Sequence, residues 1–106
     1  MEKIQGFFEQ ENIKDQEFKF KDFTEFESFD CVWEGCKFEV CDLAMVSHGN
    51  KFVNCEFKTC KFKGGEFDGT LFEKCKFISC PITASFNLMT KAEFVNCRHN
   101  ETWLSR

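Results

Sequence analysis

Tyrosine is absent from a chain of 106 residues that holds sixteen Phe and two Trp. A buried Tyr needs a partner for its hydroxyl and a buried Phe does not, so this bias suits an interior built from repeated, purely apolar slots. No apolar run has the length of a membrane span, and the segment Met1 to Glu9 has none of signal-peptide length. An excess of basic charge is also missing. A net charge of -4 and a pI near 5.2 argue against a general nucleic-acid binder, which presents a basic patch. Only two histidines occur, His48 and His99, and no Ser-His-Asp or Cys-His arrangement emerges. No Cys-x2-Cys pair is found, and Gly64-Gly65 is not part of a Gly-x4-Gly-Lys-Ser/Thr phosphate loop. These absences leave a single cytoplasmic domain with reduced thiols, because cytosol disfavours disulfides. No catalytic residue, metal, cofactor, membrane contact or direct nucleic-acid contact is expected.

What is present is a beat of five. Cys31-Val-Trp33, Cys36-Lys-Phe38 and Cys41-Asp-Leu43 are followed by Cys55-Glu-Phe57 and Cys60-Lys-Phe62. Gly65-Glu-Phe67, Thr70-Leu-Phe72, Cys75-Lys-Phe77 and Cys80-Pro-Ile82 continue it. A large apolar residue recurs at every fifth position with a small one two residues before it. Neither the helix period of 3.6 nor the strand period of 2 gives this spacing.

Residues 1–15 fit the beat poorly and read as an N-terminal cap, since a stack of repeats needs its apolar end covered. Ile4, Phe7 and Phe8 have helical spacing, while Phe8 and Ile13 equally keep the beat that leads to Phe18. Repeats run over 16–82, degenerate up to residue 30, where Phe20, Phe26 and Phe29 add aromatic density. One residue is lost near Gly49 and Asn50, where a tightened corner or small loop is expected. A second break spans 83–91 as a loop, and 92–106 form the last coil and C-terminal cap.

The pattern small-x-large-x-x resembles the pentapeptide-repeat proteins, clearly over 31–104 and loosely over 16–30. That resemblance implies an all-β, right-handed quadrilateral β-helix in which four pentapeptides make one square coil, here about four to five coils with the cap. The beats then stack as columns: Trp33, Phe52, Phe72 and Phe94; Phe38, Phe57, Phe77 and His99; Leu43, Phe62, Ile82 and Leu104; His48, Phe67 and Asn87. Their small partners stack as Cys36-Cys55-Cys75-Cys97 and Cys41-Cys60-Cys80-Thr102. Columns of like residues suit coils spaced about 4.8 Å apart. So placed, the cysteines are small apolar wall material rather than zinc ligands, which must converge tetrahedrally.

Function is then expected on outward positions and at breaks in the repeat. The first face carries Val32, Glu34, Val53, Glu73 and Val95, an apolar stripe edged by acids. The fourth carries Glu27, Glu66 and Asp68, with Phe86, Leu88 and Met89 of the 83–91 loop nearby. The resemblance is greatest to the quinolone-resistance branch, whose members are thought to mimic duplex DNA, bind type II topoisomerases and dimerise through the C-terminal end. It implies a contact between copies through Trp103 and Leu104. Lys residues interrupt every acidic row, however, and the chain is much shorter than that branch. A non-catalytic module that binds another protein is therefore the first expectation. The second is a DNA-mimicking inhibitor or protector of a DNA-handling enzyme, a topoisomerase or a defence nuclease.

Overall fold

The computed structural model describes residues 1–81, 92–100 and 102–104, and among these the chain is all β, without a helix. The first coil holds β1 (Glu2–Lys3), β2 (Gly6–Glu9), β3 (Asn12–Lys14) and β4 (Glu17–Lys19). The second holds β5 (Lys21–Asp22), β6 (Phe26–Phe29), β7 (Val32–Glu34) and β8 (Lys37–Glu39). The third holds β9 (Val46–His48), β10 (Lys51–Val53) and β11 (Glu56–Lys58), and the fourth β12 (Leu71–Glu73) and β13 (Lys76–Ile78). Two sides of a further coil, β14 (Glu93–Val95) and β15 (Cys97–His99), are followed by β16 (Thr102–Leu104).

Each strand but the last pairs in parallel with the one a coil away, giving four faces and a β-solenoid of about four turns. The first face stacks β3, β7, β10, β12 and β14; the second stacks β4, β8, β11, β13 and β15. The third joins β1 to β5 and continues through single bridges at Asp42 and Lys61. The fourth stacks β2, β6 and β9 and ends in a bridge to Glu66.

Parallel pairing puts like side chains on top of one another. On the first face the rings of Trp33, Phe52, Phe72 and Phe94 stack with centroids 5.0–5.6 Å apart and planes within 13°. On the second, Phe18, Phe38, Phe57 and Phe77 stack at 4.9–5.1 Å. Between the two columns the contacts are edge to face, as for Phe52 and Phe57 at 62°. Both geometries suit the ring quadrupole, and each such pair is worth about 0.5–1.5 kcal/mol beyond burial. The apolar content thus becomes one continuous core.

Corners follow from backbone chemistry. Among the described residues, eleven other than glycine have φ between 51° and 57°, including Asp15, Val40, Asn54 and Lys74. At this position the chain bends and its N–H reaches the next coil, as Asp15 to Glu34 O and Val40 to Lys58 O, both at 2.9 Å. The repeated hydrogen bond offsets a conformation that costs an L-residue roughly 1–2 kcal/mol.

Four sequence expectations are corrected. First, the segment expected as a cap is itself a coil. Its strands β2 and β3 pair in register with β6 and β7, and Ile13 lies over Trp33, so the beat of five wins over the helical spacing. Second, the lost residue falls one corner before Gly49. Asp22 pairs with Asp42, twenty residues on, but Glu27 already pairs with Val46, nineteen on. The shortening lies in Leu43-Ala-Met45, where the Met45 N–H bonds Leu43 O at 2.8 Å.

Third, this earlier slip changes the fourth column. Ser47, not His48, takes the inward slot, and His48 faces outward. Fourth, β16 does not extend the stack. It turns back antiparallel on β15, pairing Leu104 with Cys97 and Thr102 with His99, so neither joins the third-face columns. Ile82, Asn87 and the 83–91 loop lie outside the described residues.

Candidate functional site

The interior consumes the groups that looked most like chemistry. All eight cysteines are free and buried. Each inward file hangs its thiols on carbonyls of the preceding coil: Cys55 on Trp33 O at 3.2 Å, Cys75 on Phe52 O and Cys97 on Phe72 O, both at 3.1 Å. Cys60 and Cys80 do the same to Phe38 O and Phe57 O at 3.3 Å. Burial pushes the Cys75 thiol well above its ordinary value, so it stays protonated and a weak donor. A reactive thiol needs an electropositive, partly exposed setting, and this is the opposite environment. Among the described residues, no group of three or more His, Cys, Asp or Glu side chains could hold a metal ion.

A buried polar cluster, which the sequence reading missed, sits behind the fourth face. Ser28, Ser47, Asn50 and Thr70 are each at most 1% exposed. Asn50 Oδ1 accepts from the Cys31 N–H at 2.7 Å and from Ser28 Oγ at 3.1 Å. Its Nδ2 donates to Ser28 O at 2.8 Å and Ser47 Oγ at 2.6 Å. Trp33 Nε1 donates to Ser28 Oγ at 3.2 Å, and the hydroxyls of Ser47 and Thr70 are 2.8 Å apart. Every polar atom of the Asn50 amide is thereby used. Asn50 read as a turn former; its signal was instead its place in the small slot, two residues before Phe52.

The same face exchanges its volumes. Where the first coil has Gly6 then Phe8, the second has Phe26 then Ser28 and the third Met45 then Ser47. Phe26 and Met45 fill the core from the small slot while the serines leave room in the large one. The fourth coil returns to Gly65 then Phe67, and a Cβ on Gly65 would meet Phe67 Cε2 at 2.7 Å and Met45 O at 3.0 Å. The aromatic cluster of the second beat is accordingly divided: Phe26 is buried, Phe29 packs on His48 with centroids 5.8 Å apart, and Phe20 is 59% exposed at a corner.

The outward candidates fall into two groups. Val53 and Glu73 are register partners on the first face, both half-buried, with Val95 paired to Glu73 in turn. Glu27 and Glu66 share a row of the fourth face but are separated by Val46, two coil spacings or about 10 Å apart. Asp68 is exposed on the neighbouring row. His48 Nε2 reaches Glu66 Oε2 at 3.2 Å, so the acidic row is interrupted by a basic side chain as well as by apolar ones. Phe86, Leu88 and Met89 lie outside the described residues. At the C-terminal end Trp103 is 59% exposed, with the Arg98 guanidinium 4.0 Å above its ring.

Charge is distributed along the axis rather than by face. Eleven of the eighteen acidic residues lie in the first 40 positions, against five lysines. The first two coils are thus the acidic end, and the remainder is slightly basic. No known protein-family model matches this chain, and no curated protein matches it either.

Proposed function

We propose that the chain is a non-catalytic protein-binding module on a pentapeptide-repeat scaffold. One observation carries this reading. The eight cysteines are spent on the interior, whereas the outward rows offer charge and small apolar groups at fixed spacing on a stiff backbone. Such a surface suits recognition, in which rigid presentation lowers the cost of association. Capture from a lysate of the native host, followed by titration of the purified partner, tests the reading. A partner that binds with defined stoichiometry supports it. Absence of any partner, together with turnover of a substrate, overturns it.

A second reading, mimicry of duplex DNA toward a topoisomerase or a defence nuclease, is favoured by the acidic first two coils. Ordered carboxylates on a rod compete for a basic channel, and that competition weakens with salt. A gyrase supercoiling assay, with and without a quinolone, checks it. Full supercoiling and unchanged drug sensitivity at micromolar protein would sink this alternative.

A further inference from the structure

Among the described residues nothing covers the apolar end of the first coil. Ile4, Phe8, Ile13 and Phe18 leave a cavity of about 370 Å³ whose inner wall is Phe23 and Trp33. Phe8 in its lining is 38% exposed, while the deeper columns are sealed to within a few per cent. Its volume lies in the range of about 300–1,000 Å³ typical of sites that take small ligands or side chains. The outer edges of β2, β3 and β4 also have no strand partner among the described residues, so backbone donors and acceptors line the same opening.

The rim chooses the occupant. Lys3, Lys14, Lys19 and Lys21 each pair with a carboxylate, on Glu25, Glu34, Glu39 and Glu2. Glu9, Glu11, Asp15 and Glu17, first-coil residues outside the cavity lining, have no ion pair among the described residues and make the surround of the opening acidic. A second copy docked end to end would set two acidic rims against each other. We infer that this open end docks a partner segment whose apolar side chains enter the cavity and whose flanking Lys or Arg residues meet the acidic rim. The inference rests on the protein-binding reading and names where the partner engages. Extended segments add to free strand edges in the same way, with side-chain pockets setting specificity.

The test titrates the 106-residue chain with a labelled Lys-Lys-Leu-Phe-Leu-Lys-Lys peptide and with its Glu-flanked counterpart. The Lys peptide is expected to bind about tenfold tighter at low salt, with the gap closing as salt rises. Phe8→Ser, and separately a Glu9→Gln, Glu11→Gln, Glu17→Gln triple variant, should each lose most of that affinity while keeping the wild-type circular dichroism spectrum. Equal affinity for both peptides, or none, overturns the inference. So does a dimer in light scattering that Phe8→Ser dissolves, because a second copy would then occupy the end. A partner captured equally by wild type and Phe8→Ser would remove this site and leave the protein-binding reading standing.

Discussion

Val40 sits at φ 51°, a conformation that branched side chains rarely adopt, and its N–H bonds Lys58 O at 2.9 Å. Asn tolerates this region, so Val40→Asn should raise stability by about 0.5–1 kcal/mol, read as a higher urea midpoint with an unchanged slope. Asn50 is the opposite case. Asn50→Ala would leave the Cys31 N–H and the Ser28 hydroxyl without their acceptor inside the core, and it should cost about 2–4 kcal/mol in the same assay. These two positions also mark what the sequence could say. Spacing placed Trp33, Phe52 and Phe72 in one column because large residues repeat visibly. It could not show that an Asn in the small slot is locked by four hydrogen bonds, since that depends on Ser28, twenty-two residues before it, being folded beside Ser47, three residues before it.

At the level of elements, the fourth face is where pattern and packing part. Exchanging Gly-x-Phe for Phe-x-Ser or Met-x-Ser conserves volume but hides the beat, so His48 looked like a slot residue when Ser47 was. Packing of this kind leaves no slack around Gly65. Gly65→Ala should destabilise by about 1–3 kcal/mol, since backbone atoms of the third coil block the added methyl. The first coil carries a separate, pH-dependent contribution. A hydrogen bond from Lys21 lowers Glu2, one from Lys3 lowers Glu25, and Thr24 lowers Asp22. Lowered carboxyls stabilise the folded state above their ordinary values, 4.5 for Glu and 3.8 for Asp, and that stabilisation goes as pH falls through the depressed ones. Hydrogen exchange should therefore show β1 and β5 opening first below about pH 4, and Glu25→Gln should flatten that dependence.

For the whole molecule, the beat of five was enough to give an all-β solenoid and two of its four columns. The end effects were not legible, because a repeat carries no mark of where its stack stops. Residues 1–15 proved to be a coil with an open mouth, and the last strand reversed instead of adding a layer. The outward rows were legible as residues but not as a site. Val53 with Glu73 and Glu66 with His48 are pairs on different faces, and the strongest apolar opening lies at the first coil, away from both.

The account turns on the claim that cysteines, the residues most suggestive of chemistry, are wall material inside the coils. Thiol titration with a chromogenic disulfide reagent tests it most directly, run on native protein and again in guanidinium chloride. The structure predicts that none of the eight thiols reacts until the protein unfolds, after which all eight react at the rate of free cysteine. Rapid reaction of even one thiol in the native protein would contradict it.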